Sequence, residues 1–564
     1  MRKTIPCGRT GMTMLPKSAG NVRYCTKAHA NNRKELFFPM RTSKRVLSAL
    51  LASTLIIGAA GCGGGGGRTS GGEGTQATTA APVTTTEDPN KAIDTQIDYN
   101  DMANIEEVDT NNEEGAGKLY ESGKTAGNIK VLCYYDFHNI EPDASVSKVF
   151  AERFGGTVET EICGSLEVAE RLGVLMASGQ SPDIIRSEWI FMPGYFIQNR
   201  FAPMDDWLDI NSPIWTDMSD ILEKWSYNGK HYYWPSNLVP NYGITYCTAN
   251  VEATGCKDPM DLYFSGEWTW NEFEDILLKW KAIDPENVGI SMGESSALHL
   301  AATTGTAAIE FTGTDIVNNL RNANVMRAME FAEKLGREEL VFPDWRGPDS
   351  DSSWDNLMFF IMPAEWAITC GQETWFKKGL EGQIRTVPMP RDPNSDTYSI
   401  LGDSYGYLVP SGASNMQGAA AWILAARIYR TDPEVVQKNR EDLMYDGPYY
   451  YIKCPECKHP YDSEYGEENE VCPECGTPRK AKFKVIYDEQ QMQVFDDMVD
   501  PSKFNFVFDC HRGFGADLKQ QIIDIFDYPL KGTEPYIQML EENYNVVEAG
   551  LDPYRQLIKE AASS

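Results

Sequence analysis

The chain has 564 residues, a formal net charge of −31, and 42% hydrophobic and 11% aromatic residues. One hydrophobic core usually serves no more than roughly 250 to 300 residues, so we expect two lobes with appendages, most of them folded. The first 45 residues carry eleven Lys or Arg against one acidic residue, Glu35, so the remainder carries about −41 and repels nucleic acid and anionic lipid, which argues against both as partners.

Residues 40–61 are predicted to be an export signal. Three basic residues follow Met40, an apolar stretch runs from Val46 to Ala60, and Gly61 precedes Cys62. The apolar stretch is too short for a stable membrane span. The small residues before Cys62 resemble the bacterial lipobox, which implies that Cys62 is lipidated, with plain secretion as the alternative. Residues 1–39 are interpreted as an upstream extension, with Met40 as the true start.

Residues 62–126 are rich first in Gly, then in Thr, then in acidic residues, and they lack the apolar content that packing requires. We expect a disordered tether that lifts the folded part away from the lipid surface.

Strand and helix patterns alternate after the tether. Strands are predicted at 129–135, 157–162 and 182–185, with helices at 146–154 and 166–177 between them. This order predicts a parallel sheet with helices on both faces. Such sheets bind ligands at the carboxyl ends of their strands, where Asp136, Glu188 and Trp189 stand.

Further helices are predicted over 270–281, 325–335, 415–429 and 534–545. The alternating pattern continues past residue 400, which excludes a repeat array and an all-β module. The fold class is therefore α/β.

Four stretches together resemble one family: Met176–Ile185, Tyr227–Pro235, Trp268–Phe273, and Gly406–Pro410 with the Ala-rich helix after it. Their order and spacing are similar to those of the extracellular solute-binding proteins of sugar importers, the group that includes maltose-binding protein. The resemblance implies two α/β lobes joined by a hinge, with a ligand in the cleft between them. It also implies no catalysis, an ABC importer permease as partner, and a monomer on the outer face of the bacterial cytoplasmic membrane.

The implied lobes divide the chain by position. Residues 127–240 and 391–435 would form lobe 1, and residues 241–390 and 436–564 would form lobe 2. The first crossing between lobes is expected near Pro235–Asn241 and the second near Pro388–Asp396.

A sugar offers apolar faces and a rim of hydroxyls, so its site needs aromatic platforms beside carboxylates and amides. Trp366 lies four residues after Met362, where the resemblance implies a Trp that stacks on the ligand. The other candidates follow the strands of lobe 1 or lie near the expected crossings: Asp136, Glu188, Trp189, Trp234, Asn237, Asn241, Tyr242, Asp403 and Tyr405.

Two Cys-x-x-Cys turns, Cys454–Cys457 and Cys472–Cys475, stand fourteen residues apart. Two such turns bring four thiolates to a tetrahedron, which Zn²⁺ favours, and no ligand position stays open for water. We therefore predict one structural zinc in a ribbon inserted at residues 449–482, whose folding the metal supports. Iron in the same knuckles and two disulfides are the alternatives.

Other functions stay open at this point. A secreted carbohydrate-active enzyme would use paired carboxylates, but the chain has only six His and none of the common catalytic motifs. A binding protein for a peptide or another solute is a second alternative, because Arg186 stands beside Glu188 and Trp189 and suits an anion. A surface adaptor for a protein partner is the third.

Overall fold

Helices and strands alternate along the computed structural model, which describes residues 126–134, 146–164, 167–186, 189–292, 295–342, 354–364, 383–450, 453–454, 456–461, 471–478 and 481–563. Its strands are β1 Gly127–Cys133, β2 Gly156–Ile162, β3 Ile184–Arg186, β4 Phe201–Ala202, β5 Ser226–Tyr227, β6 Lys230–His231, β7 Tyr233–Leu238, β8 Tyr242–Cys247, β9 Val288–Met292, β10 Ile309–Phe311, β11 Ile316–Asn318, β12 Leu357–Pro363, β13 Ile384–Pro388, β14 Tyr398–Leu401, β15 Ser404–Pro410, β16 Tyr445–Tyr450, β17 Ala481–Val485 and β18 Phe504–Val507. Its α-helices are α1 Val146–Phe154, α2 Val168–Ala177, α3 Gly194–Ile197, α4 Ser219–Lys224, α5 Thr248–Thr254, α6 Pro259–Phe264, α7 Trp270–Ile283, α8 Ser296–Ala302, α9 Ala323–Arg337, α10 Met416–Thr431, α11 Pro433–Met444, α12 Glu489–Asp497, α13 Ala516–Leu530 and α14 Tyr536–Ala562.

The first lobe is built on a six-stranded sheet in the order β2-β1-β3-β15-β4, with β7 also paired to β15. Strands β1, β2 and β3 are parallel, whereas β15 runs antiparallel to β3, β4 and β7. Helix α10 packs on this sheet because its Ala-rich sequence permits close approach, and Trp422 meets Phe150 of α1 edge to face at 5.3 Å. The predicted strands and helices of this lobe are confirmed.

The second lobe is built on a four-stranded sheet in the order β13-β8-β12-β9. Its central strand β12 is apolar along its length, as expected for a strand covered on both faces. Phe273 of α7 stacks on Phe359 of β12 at 5.2 Å, and Trp270 stacks on Phe331 of α9 at 5.0 Å. The α/β, two-lobed fold predicted from the sequence is confirmed by these two sheets.

Two of the segments that connect the lobes bond to each other. The chain leaves the first sheet at Leu238 and enters the second at Tyr242, within the predicted first crossing. It returns at residues 402–403, where Val239 N–H donates to Asp403 O at 3.2 Å and Gly402 N–H donates to Val507 O at 2.9 Å.

The second crossing therefore lies beyond the predicted Pro388–Asp396. Pro388 still pairs with Gly243 in the second sheet, and Arg391 N–H donates to Trp268 O at 3.0 Å. The chain first forms β14, which pairs in parallel with β18, before it enters the first sheet at Ser404. The sequence predicts that lobe 1 resumes at residue 391, but this residue still lies beside the second lobe.

The carboxyl-terminal helices cover both lobes. The helix predicted over 534–545 is the first half of α14, a 27-residue helix. Tyr554 of α14 packs edge to face on Phe514 at 4.9 Å, and the Arg555 guanidinium donates to Ile316 O at 2.8 Å. No helix in the described ranges has both the length and the apolar character that crossing a membrane requires.

The cysteine-rich segment is an insertion between α11 and α12. Strands β16 and β17 pair antiparallel at its base, with Tyr445 opposite Val485 and Tyr450 opposite Ala481. This two-stranded stem carries the two cysteine turns.

Candidate functional site

The strand ends that face the hinge gather polar and aromatic side chains from both sheets. In the first sheet, the carboxyl ends of the parallel strands β1, β2 and β3 lie at the same edge as the start of β15 and the end of β7. In the second sheet, the corresponding edge contains the start of β8 and the ends of β9, β12 and β13. Because the crossing segments join these two edges, a cleft lies between them, where α/β sheets bind ligands.

Tyr405 is the central aromatic residue on the edge of the first sheet. The Arg186 guanidinium carbon lies 4.2 Å from the centre of its ring, and that of Arg430 lies 6.0 Å away. Tyr405 stands opposite Asn237 in the sheet, and the Ser236 hydroxyl donates to Tyr405 O at 3.2 Å. This edge therefore offers a half-buried phenol and an amide beside a cation.

A buried arginine fixes the strand that leads into the first crossing. Arg427 of α10 is 2% exposed, and its guanidinium donates to Ser236 O at 2.6 Å and to Ile214 O at 2.8 Å. The same guanidinium also contacts the carboxylate of Asp217. Arg427 thus holds the backbone of β7 in place just before the first crossing.

Tyr242 and His299 form the corresponding surface on the second sheet. Their rings stack with centres 3.7 Å apart. His299 is 5% exposed, and its Nδ1 atom has no hydrogen-bond partner among the described residues. Burial is the main cause that holds the pKa of His299 well below its usual value, and the positive charge of Arg512 lowers it further. The imidazole is therefore neutral at physiological pH.

Arg512 lies beside this pair. Its Nη2 donates to the Ser295 hydroxyl at 3.4 Å, and its Nε donates to His511 Nε2 at 3.3 Å. Ser295 immediately precedes α8, and its carbonyl accepts the backbone N–H of His299 at 3.3 Å.

Five of the ten predicted ligand residues lie at the crossings or the strand ends beside them: Asn237, Asn241, Tyr242, Asp403 and Tyr405. Asn241 is 9% exposed, and its amide donates to Leu401 O at 2.8 Å, so it joins the first crossing to the second. Their roles in ligand binding stay predictions.

Trp234 lies elsewhere, in the core of the first lobe. It is 0% exposed, meets Trp215 edge to face at 5.1 Å, and donates its indole N–H to His231 O at 3.3 Å. Its predicted role as a ligand contact stays a prediction. Asp136, Glu188, Trp366 and Cys62 lie outside the described residues, and only the backbone of Trp189, at the start of a 3₁₀ turn, is described.

No sequence pattern indicated His299, Ser295 or Arg512 as members of the site. Ser295 and Arg512 are 217 positions apart, so no local pattern could join them. A weak signal was present, since His299 is a polar residue within an Ala- and Leu-rich helix.

Two cavities have linings that include neither Tyr242 nor Tyr405. One, of about 700 Å³, lies beside α7 on the second lobe and is lined by charged residues that include Lys257, Glu272 and Lys279. The other, of about 360 Å³, lies between α4 and β18.

The four cysteines of the ribbon form two turns of the same geometry. Cys454 N–H donates to His459 O and Cys472 N–H donates to Thr477 O, both at 2.8 Å. Equivalent positions in the two turns, Lys458 and Gly476, have φ of 64° and 70°. The ribbon is thus a pair of matching knuckles.

The donor set of these knuckles fits a tetrahedral metal. The four sulfurs lie within 4.8 Å of one another, with Cys454 and Cys475 at 3.6 Å and Cys457 and Cys472 at 3.5 Å. Zinc–sulfur bonds of about 2.3 Å in a tetrahedron place the sulfurs about 3.8 Å apart. All nine cysteines in the described ranges are free.

Comparison with known proteins agrees with this architecture. A model of the bacterial extracellular solute-binding protein family matches residues 146–447, more than half of the chain. No curated protein sequence matches.

Solved structures with the same fold have low sequence identity to the chain. The sugar-binding protein MalE from Xanthomonas citri is 13% identical, with a TM-score of 0.53, covering 77% of this chain and 99% of that one. The galacto-N-biose-/lacto-N-biose I-binding protein from Bifidobacterium longum, in complex with lacto-N-biose, is 12% identical, with a TM-score of 0.53 and coverages of 77% and 99%. An ABC substrate-binding protein from Listeria monocytogenes, in complex with cycloalternan, is 12% identical, with a TM-score of 0.51 and coverages of 75% and 98%.

Proposed function

The chain belongs to the bacterial extracellular solute-binding proteins, and from that premise we propose that it captures a carbohydrate outside the cell and delivers it to the permease of an ABC importer. The observation that carries this proposal is the pair of sheet edges that face each other across two hydrogen-bonded crossings. Each edge contributes a half-buried tyrosine, Tyr405 or Tyr242, beside amide groups, as a hydroxylated ligand requires. The sugar-binding structures with the same fold support the substrate class.

The ligand contacts we propose come from both edges. Tyr405 and Asn237 serve the first lobe and Tyr242 the second, while Asn241 and Asp403 hold the crossings beside them. We include the contacts expected from the sequence alone, which are Asp136, Glu188, Trp189 and Trp366.

Capture would proceed by closure of the cleft. The lobes are joined by short segments at residues 239–241 and 402–403, and such segments absorb hinge rotation. A ligand drives closure by binding the closed state better than the open state. No chemical step is required, so we propose that the protein is not an enzyme.

The position in the cell follows from the amino-terminal sequence. Lipidation of Cys62 would anchor the chain to the outer face of the cytoplasmic membrane, and residues 63–126 would hold the lobes away from the lipid. We propose that it works there as a monomer.

For the ribbon we propose one structural zinc bound by Cys454, Cys457, Cys472 and Cys475. All four ligands are protein thiolates, so the bound ion would hold the two knuckles together and would not activate water. Zinc supplies folding free energy to a segment with few apolar residues.

The test is a ligand panel on the zinc-loaded full-length chain. A ligand that binds only the native state raises stability by about 2.7 kcal/mol at a hundredfold excess over Kd. We expect the thermal midpoint to rise with one class of sugar, with no product released from oligosaccharides. Tyr405→Ala and Trp366→Ala should reduce the rise, whereas Tyr528→Ala, an exposed tyrosine of α13, is the matched control.

Other outcomes point to the alternatives. A rise with peptides only would keep the fold and overturn the substrate class. Cleavage of an oligosaccharide would indicate an enzyme. An unchanged thermal midpoint with every ligand of the panel would favour an adaptor that binds a protein partner.

A further inference from the structure

Arg512 is a partly buried arginine that no carboxylate in the described part of the chain neutralises. The chain is strongly acidic, and three other partly buried arginines pair with acids: Arg327 with Asp392 at 2.5 Å, Arg385 with Asp488 at 2.6 Å, and Arg555 with Glu548 at 3.0 Å. Within the described ranges Arg512 has only neutral acceptors, the Ser295 hydroxyl and the His511 ring. A partly buried cation without a counter-charge is costly, so it needs an anion.

The acid closest to Arg512 in sequence cannot supply this charge. Asp509 is buried, and its Oδ1 atom accepts from His511 N at 2.9 Å and lies 2.7 Å from His511 Nδ1. Its Oδ2 atom accepts the backbone N–H groups of Ala308 and Ile309. Both oxygens are therefore occupied.

A buried ring nitrogen without a hydrogen-bond partner within the residues that the structure describes lies near Arg512. His299 is buried, and its Nδ1 has no partner among the described residues, although buried ring nitrogens normally have one. Its ring lies against Tyr242, the first residue of β8 after the crossing, so the unpaired group lies at the cleft edge of the second sheet. The backbone N–H of His299 bonds to Ser295 O, and the Ser295 hydroxyl accepts from Arg512.

We propose that Arg512 and His299 form an anion-binding subsite in the cleft, and that the solute is a saccharide bearing a carboxylate, such as a uronic acid. The proposal rests on the carbohydrate-binding function proposed above. A guanidinium presents its N–H groups as a planar fork that matches a carboxylate. His299 would donate to the same anion or to a hydroxyl next to it, while Tyr242 limits the space on one side.

The test compares matched acidic and neutral sugars on the zinc-loaded full-length chain by calorimetry. The pairs are glucuronate with glucose and galacturonate with galactose, as monomers and as dimers. We expect the acid of one pair to bind at least about tenfold more tightly than its neutral partner. Charge-assisted hydrogen bonds of this kind correspond to roughly 10- to 100-fold in affinity. Arg512→Gln should therefore reduce the affinity for the acidic sugar by that factor and change the affinity for the neutral sugar by less than about threefold.

Arg321→Gln is the matched control, because Arg321 is exposed, lies 3.8 Å from the Tyr544 ring, and loses the same charge. Arg512→Lys should restore part of the affinity for the acid. A merely structural Arg512 would affect both members of a pair alike. His299→Gln provides a second variant if Arg512→Gln does not fold. It too should reduce the affinity for the acidic sugar more than the affinity for the neutral sugar.

Several results would overturn the subsite. The subsite would be contradicted if neutral sugars bind as tightly as acidic ones, or if Arg512→Gln leaves the affinity for the acid unchanged. Neither result would contradict the proposed carbohydrate function. Binding of a sulfated disaccharide but of no carboxylate would keep the anion site and overturn the uronate. If neither acid nor neutral sugar binds, the proposed function fails together with it.

Discussion

At the scale of single residues, two buried histidines link the stability of the second lobe to pH. Burial is the main cause that lowers the pKa of both His299 and His511. An unfolded imidazole titrates near pH 6.5, so the unfolded state binds more protons than the native state below that value. Stability is therefore complete above about pH 6.5 and falls as the pH drops below it.

We predict that His299→Gln loses less stability than the wild-type protein between pH 8 and pH 5. One such histidine contributes at most about 1.4 kcal/mol per pH unit to the slope. The measurement is the free energy of unfolding in urea at both pH values, so that any fixed cost of the substitution cancels. Equal losses in the two proteins would show that His299 is protonated in the native state or exposed there.

How far residues can be predicted depends on how far apart their partners lie. The four ribbon cysteines were correctly grouped because both knuckles are local and Cys-x-x-Cys spacing is a strong signal. Asn241 and Tyr405 were placed near the hinge from short motifs next to strands. His299 and Arg512 could not be grouped because only the folded chain brings them together, and the burial of Trp234 depends on Trp215, far from its motif.

At the scale of elements, the ribbon is the part whose fold should depend on metal. It is attached to the rest of the chain by the β16–β17 stem, and its knuckles bond mainly within themselves. We predict that a chelator releases one zinc per chain and exposes the backbone of residues 453–478 to hydrogen exchange. The two sheets should keep their protection, and sugar affinity should change by less than about twofold.

The check is zinc release measured with a metal indicator, followed by exchange mass spectrometry. Cys472→Ser should reproduce the effect of the chelator, and Cys256→Ser, outside the ribbon, is the control. Visible absorption by the purified protein would identify iron. A ribbon that stays protected without metal would refute the assignment.

Elements with strong local signals were predicted well. Helix α7 begins where the sequence placed it, because the Thr269 hydroxyl accepts the N–H of Asn271 and caps the helix. The short strands β14 and β18 were not predicted. They are four residues each and are defined only by their pairing, Tyr398 with Phe504, across more than a hundred positions.

At the scale of the whole molecule, the order of lobes followed from the α/β alternation and the family resemblance. The predicted first crossing falls between β7 and β8, which are adjacent in the chain. The second was placed too early because β14 delays the return to the first sheet. Sequence patterns therefore do not predict the pairing of strands that are far apart in the chain.

The lobes also touch away from the hinge, at two facing glycines. A Cβ atom on Gly513, in the loop after β18, would collide with the carbonyl oxygen of Met192 in the first lobe. A Cβ atom on Gly194 would collide with the carbonyl oxygen of Gly513. Phe311 adds to this contact by packing against Phe196 at 5.8 Å. At Gly194 and Gly513 the two backbones approach closely because neither residue has a side chain.

We predict that Gly513→Ala pushes the loop and the first lobe apart. Steric overpacking of this kind costs about 1–3 kcal/mol, which should appear as a lower free energy of unfolding in urea. The same variant should have a larger radius of gyration than the wild-type protein in small-angle scattering. Gly173→Ala is the control, because a Cβ atom there meets nothing within 4 Å and helix α2 should gain about 0.5–1 kcal/mol. A Gly513→Ala protein as stable and as compact as the wild type would mean that the lobes do not rest on this contact in solution.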